Sequence, residues 1–196
     1  AERLEQSGYK LADLQFHQHI SYDIDCNWKT YVDNYLEGYH VPHVHPELNK
    51  LLDYRSYVTT TTRWHSMQFS PLESGDDLYG SGDALYYFLY PNTMLNILPG
   101  RLQTNRVLPL PNNRCRVEFD FFYAASQSDK DDARRVRDLE FSDVVQDEDI
   151  KICEDVQRGL DSGSYTAGRL NPLRENALHH FQELLRADYR ADIESK

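Results

Sequence analysis

The chain is poor in what secreted scaffolds, membrane proteins and nucleic-acid binders need. It holds only three cysteines, Cys26, Cys115 and Cys153, in 196 residues. An odd number at wide spacing offers neither a C-x-x-C pair nor a disulfide framework, which points to a reducing compartment. No run of about 18 apolar residues occurs, so no segment reads as a transmembrane helix. The opening "AERLEQSGYK" has none of the character of a secretory signal. Basic residues number 21 against 32 acidic ones. A net charge of −11 without a basic stripe excludes nucleic acid and anionic membranes as expected partners. Repeats, low-complexity tracts and a second-domain linker are also missing. The chain therefore reads as one domain over residues 1–196, soluble and cytoplasmic.

What is present is a sharp change of pattern. Residues 1–25 are polar with short alternating patches and read as an entry strand. In "CNWKTYVDNYLEGYH", Trp28, Tyr31, Val32, Tyr35, Leu36 and Tyr39 follow the apolar stripe of an amphipathic helix. Asn27 or Asp25 can cap its start, and Pro42 is expected to stop it. From about 54 to 125 the chain is rich in β-branched and aromatic residues. The turn signals "ESGDD", "GSGD", "PN", "PG" and "PNN" punctuate it. Strands so close together, with no helix between them, predict an antiparallel sheet. Helical patterns return from residue 126 to about 160. A glycine-marked loop, "DSGSYTAGRLNP", and a final helix, "ENALHHFQELLRADYR", follow. The expected class is α+β, with helices laid over a curved antiparallel sheet.

The chemistry concentrates in "DNYLEGYHVPHVHP", where His40, His43 and His45 fall within six residues. With Pro42 breaking the helix, H-x4-H bends the His40 and His45 imidazoles toward one point. Two histidines and one carboxylate on one face of a metal form the ligand set of mononuclear non-haem Fe(II) oxygenases. Glu37, three residues before His40 and on the same helical face, can accept a ring N–H and fix the tautomer. His43 then points elsewhere. Spacing alone leaves the other reading open, three solvent-facing or partner-binding histidines beside a proline.

A third ligand must come from far along the chain. Of the five carboxylates in 147–155, helical geometry places Asp149 near the middle of the face defined by Val145, Ile152, Cys153, Val156 and Leu160. Glu148 lies roughly 90° away on the same 3.6-residue geometry. A lone carboxylate amid apolar side chains needs a cation or an arginine partner to offset its desolvation. Either a metal or a buried salt bridge satisfies that need, and the ligand reading is favoured.

Taken together, "NWKTYVDNYLEGYHVPHVHP", "ALYYFLYPNTMLNILPG", "VQDEDIKICEDVQRGL", "YTAGRL" and "ALHHF" resemble the catalytic domain of Rieske non-haem iron oxygenases. The resemblance runs from about residue 20 to 188 and is nearest the choline, carnitine and glycine-betaine branches. It implies a helix-grip fold, a curved antiparallel sheet wrapped around a long C-terminal helix with an internal cavity. It implies His40, His45 and Asp149 as ligands of a mononuclear Fe(II). Glu37 would be the acidic bridge that carries electrons from the Rieske cluster of a neighbouring subunit, which makes a homotrimer the expected assembly. The resemblance also implies O2 as co-substrate, and NAD(P)H feeding electrons through a separate reductase or ferredoxin. The C-x-H and C-x-x-H pairs that hold a [2Fe–2S] cluster in this family are missing from these residues. That cluster is therefore expected only on an absent N-terminal domain or a partner, and the isolated chain is expected to be inactive.

The implied reaction is hydroxylation or oxidative N-demethylation of a quaternary or tertiary amine such as choline, carnitine or a betaine. Two alternatives stand beside it, an aromatic-ring-hydroxylating dioxygenase domain and a non-catalytic helix-grip binding module. Quaternary ammonium ions are recognised by aromatic cages. "LYYFLYP" alternates Tyr86, Phe88 and Tyr90 with Tyr87 and Leu89. Either set can face a cavity or fill the sheet core, and Trp64 and Phe69 are equally available. His179 and His180 read as helix-core or cavity-wall residues, Cys153 as a small core residue, and Asp129–Asp132 as a solvated helix start.

Overall fold

The computed structural model describes residues 2–72 and 78–195. Its frame is a seven-stranded antiparallel sheet in the order β1-β7-β6-β5-β4-β3-β2, open at both edges. The strands are β1 (Gln15–Ile24), β2 (Val58–Thr61), β3 (His65–Pro71), β4 (Asp83–Leu89), β5 (Thr93–Leu98), β6 (Arg101–Leu110) and β7 (Arg114–Tyr123). Strands β2 to β7 form a meander, and β1 closes back beside β7. Strands β2 and β3 follow closely in sequence and pair with each other as an antiparallel hairpin. The "PNN" turn places Asn112 and Asn113 at φ 61° and 54°, the left-handed conformation a tight hairpin demands and asparagine tolerates. "ESGDD" (73–77) lies outside the described residues.

Period-two alternation sorts side chains onto two faces. On one face Met67, Phe69, Leu85, Tyr87 and Ile97 form a small core, with Leu4, Tyr9 and Leu11 of the N-terminal segment packed against it. That segment holds α1 (Glu2–Ser7) and a short 3-10 turn ahead of the predicted strand. The other face meets α2 (Trp28–Tyr35), α5 (Asp129–Asp161) and α6 (Asn176–Glu194) in the main core. Phe181 of α6 is almost fully buried against Phe88, with ring centroids 5.4 Å apart. Burying a side chain of this size contributes about 2–3 kcal/mol. The three cysteines, distant in sequence, meet in this core as buried free thiols, with Cys26 and Cys115 Sγ atoms 3.8 Å apart. The C-terminal helix held on one face of an open sheet is the helix-grip arrangement.

Helix α5 runs 33 residues, about 50 Å at 1.5 Å per residue, from the Ser128 cap through the predicted acidic start. Its buried positions are Asp138, Gln146, Cys153 and Gln157. Val156 and Leu160, counted on the apolar face in the sequence reading, are instead 46% and 40% exposed. The face that packs is thus largely polar: Gln146 and Gln157 meet hydrogen-bonding partners on α2 and its cap, and Asp138 meets Arg101 and Tyr123 of the sheet. No helix among the described residues is long and apolar enough to cross a membrane.

Candidate metal centre

The histidine segment folds differently from a single helix stopped by a proline. Asn27 caps α2, its side chain accepting from the Lys29 amide at 3.1 Å. The helix then ends at Tyr35, so Leu36 to His40 are not helical and Glu37 and His40 share no helical face. Gly38 is the tight point, since a Cβ there would stand 2.7 Å from Tyr57 Cζ. Pro42 starts structure rather than stopping it. It lies in the first turn of α3 (Val41–Val44), and Pro46 opens α4 (Pro46–Leu51). Proline suits that turn because its missing N–H would have no helical acceptor there. His40 and His45 therefore bracket a one-turn helix as its N-cap and C-cap. His43, on the turn between them, is exposed.

This arrangement aims both imidazoles at α5. His45 Nε2 lies 3.0 Å and His40 Nε2 3.9 Å from the same Asp149 Oδ1. The three residues each offer one ligand atom, and those atoms all lie within 4.8 Å of one another. The opposite ring nitrogens are held by carboxylates. His40 Nδ1 is 2.5 Å from Glu37 Oε1, and His45 Nδ1 is 2.7 Å from Glu148 Oε2. Glu37 also accepts from the His40 amide at 3.2 Å. Asn34 donates to Asp149 Oδ1 at 2.6 Å.

With Nδ1–H donated to a carboxylate, each Nε2 is left as a lone pair. Two such lone pairs then face a carboxylate oxygen. That geometry repels unless a proton or a cation lies between. The two spacings from Asp149 fall within twice a metal–ligand bond of about 2.1 Å, so one ion can serve all three. Carboxylates on the far ring nitrogens are the usual support for metal-binding histidines. His45 is 1% exposed. Its burial works to lower the imidazolium pKa, but Asp149 and Glu148 outweigh burial and hold it above the ordinary histidine value.

The four sequence-derived site residues, Glu37, His40, His45 and Asp149, thus lie together. Glu148, Asn34 and Gln146 were not singled out in the sequence. Glu148 lies off the Asp149 face, yet its off-axis carboxylate reaches the rear of His45. His179 is exposed and His180 half-buried, and neither lines the cavity beside the cluster.

That cavity, of about 120 Å³, opens between the cluster and the sheet. Its walls include Tyr31, Tyr35, Tyr57, Tyr86 and Phe119. The Tyr86 face of β4 therefore turns inward, while Tyr87 and Phe69 lie in the core on the opposite face. Trp64 is half exposed. Burial raises the Tyr31 and Tyr35 phenols well above the ordinary tyrosine pKa, so both are protonated donors. A second, wider recess of about 700 Å³ approaches from the other side, and Glu37 and His40 line both.

The ring hydroxylating alpha subunit (catalytic domain) family model matches residues 11–191. The chain belongs to that family. Choline monooxygenase, chloroplastic, of Arabidopsis thaliana is 46% identical over 189 residues, 93% of this chain and 44% of the relative. The carnitine monooxygenase oxygenase subunit of Escherichia coli (strain K12) is 27% identical over 190 residues, 90% of this chain and 50% of the relative. A solved quaternary ammonium Rieske monooxygenase superposes with TM-score 0.81 at 25% identity, over 94% of this chain and 53% of that one. Dicamba monooxygenase shares the fold, with TM-score 0.69 at 16% identity over 92% of this chain and 61% of that one. The chain spans about half the length of the curated relatives it matches.

Proposed function

We propose that this Rieske-family catalytic domain belongs to an oxygenase whose mononuclear Fe(II) is held by His40, His45 and Asp149. The convergence of two Nε2 atoms on one Asp149 oxygen, each ring anchored from behind, carries this reading. A ferrous ion held there would supply O2 binding and electron acceptance.

The remaining roles fall to the chain's own residues. Glu37 and Glu148 fix the imidazole tautomers, and Asn34 holds Asp149. The tyrosine-lined cavity receives a quaternary or tertiary amine through cation–π attraction. The reaction inserts one oxygen atom of O2 into a C–H bond on or beside an N-methyl group. The other oxygen atom leaves as water, taking up two electrons and two protons. Hydroxylation on the methyl itself releases formaldehyde and the demethylated amine. Names of relatives support the substrate class.

Electrons enter at Glu37, which is 8% exposed and lies between the cavity and the wider recess. In this reading the recess seats the [2Fe–2S] Rieske domain of a neighbouring subunit in a trimer, reduced from NAD(P)H by a separate reductase or ferredoxin. Residues 1–196 form the mononuclear-iron domain, and the cluster lies outside them. The free buried cysteines fit a reducing compartment, taken as the cytoplasm, although the Arabidopsis relative is named chloroplastic.

The test is single-turnover oxidation by the full-length protein with its Rieske domain and reductase. Quaternary amines should be hydroxylated or demethylated. Glu37→Gln should abolish turnover while keeping iron bound. Turnover of aromatic acids with none of amines would replace this reading with ring hydroxylation.

A further inference from the structure

Two buried glutamines grip the two ends of α2. Gln157 of α5 accepts from the Asn27 amide at 2.8 Å, just ahead of the first turn. Gln68 of β3 donates to the carbonyl of Tyr35, the last helical residue, at 2.7 Å. They are 6% and 2% exposed. The second contact explains where the helix stops. In a helix continued through Tyr39, as the apolar periodicity predicts, the Tyr35 carbonyl would accept from the Tyr39 amide. Gln68 Nε2 supplies from a distant strand the partner that a helix ending at Tyr35 would otherwise lack.

Gln68 is itself held in one orientation. Its Oε1 accepts from Tyr57 Oη at 2.8 Å, and the Tyr35 carbonyl can only accept, so the amide cannot turn over. The Tyr57 ring lies against Gly38, where a Cβ would stand 2.7 Å from Cζ. Tyr35 is fixed from its side chain as well, its Oη donating to Asn96 Oδ1 of β5 at 2.8 Å. The chain thus leaves α2 at a point set by the sheet. That exit decides what Glu37 can reach. Its Oε2 accepts from the His40 amide at 3.2 Å, and its Oε1 lies 2.5 Å from His40 Nδ1. In a continued helix the His40 amide would bond to the Leu36 carbonyl instead, and Glu37 would lose the first of these contacts.

We infer that Gln68 is a positioning residue for the reaction: by ending α2 at Tyr35 it sets the turn on which Glu37 and His40 meet. The inference rests on the reading of Glu37 as the point of electron entry and of His40 as an iron ligand. Gln68 bonds to Tyr35 and Tyr57, so it acts on Glu37 and His40 through the backbone.

Three variants of the full-length protein with its Rieske domain test it, Gln68→Leu, Tyr57→Phe and Gln157→Leu. Two quantities are measured in each: Fe(II) affinity by competition with a chelator, and the rate at which the reduced [2Fe–2S] cluster is reoxidised in a single turnover, followed by its visible absorbance. Gln68→Leu should weaken iron binding about tenfold and slow reoxidation about 100-fold. Tyr57→Phe keeps the ring and removes only the hydroxyl, and should slow reoxidation about fivefold. Gln157→Leu loses the matching bond at the far end of α2. It should lower the melting temperature while leaving both quantities at the wild-type level. Wild-type values in folded Gln68→Leu, or equal losses in Gln157→Leu, would overturn the positioning role. If Gln68→Leu does not fold, Tyr57→Phe decides, and an unchanged rate there overturns the role. Wild-type reoxidation in Glu37→Gln would overturn the electron-entry reading itself, and the inference with it.

Discussion

His45 and Asp149 stand 104 positions apart in sequence, yet His45 Nε2 and Asp149 Oδ1 are 3.0 Å apart. The other nitrogen of the same ring is claimed by Glu148, the residue just before Asp149. One turn of α5 thus grips both sides of a buried imidazole. Such a pairing fixes the tautomer as well as the ring plane.

The Glu148 contact predicts a graded effect. Glu148→Ala removes the rear anchor of His45 but none of the three convergent atoms. Iron affinity should fall about 10- to 100-fold, measured by competition against a chelator, with full occupancy still reached at high iron. Unchanged affinity would show that Glu148, whose side chain is 32% exposed, is a surface contact only.

Gly38 predicts a steric effect. An alanine Cβ would meet the Tyr57 ring at 2.7 Å, and Tyr57 both lines the cavity and donates to Gln68. Gly38→Ala should lower stability by about 1–3 kcal/mol in denaturant unfolding and weaken amine binding as the ring moves. Adding Tyr57→Val should recover most of the lost stability. Additive losses would mean that the two sites do not touch.

Asp33 predicts a pH dependence. Burial raises its pKa to about 7, with Gln182 and Lys29 only partly opposing and Glu175 adding to the rise. Its folded-state pKa thus exceeds the unfolded value of about 3.9, so the folded state holds the proton longer. The resulting stabilisation is complete below about pH 4 and is lost as pH rises toward about 7. Asp33→Asn should remove that slope and make the variant more stable than wild type at pH 8, on the order of 2 kcal/mol. Parallel stability–pH curves for the two proteins would contradict the assignment.

The sheet was legible because its turns are written in glycine, proline and asparagine and its strands in β-branched and aromatic residues. The convergence of His40, His45 and Asp149 was also legible, through a short H-x4-H and a carboxylate misplaced on a helix face. The local path was not. Helical periodicity continues through Tyr39, but the chain leaves the helix at Tyr35, and Gly38 packs under Tyr57, a contact from nineteen positions downstream. Glu148 was hidden because face analysis ranks residues by angle alone, while a glutamate's length carries its oxygens across that angle. Val156 and Leu160 misled for the opposite reason, since apolar periodicity near a helix end does not require burial.

The proposed centre holds one iron among His40, His45 and Asp149. Iron content per chain, measured after reconstitution with Fe(II) for wild type, His40→Ala, His45→Ala and Asp149→Ala, tests it most directly. About one iron is expected in the wild type and none in each variant, with folding checked by circular dichroism. Full iron occupancy in all three folded variants would contradict it.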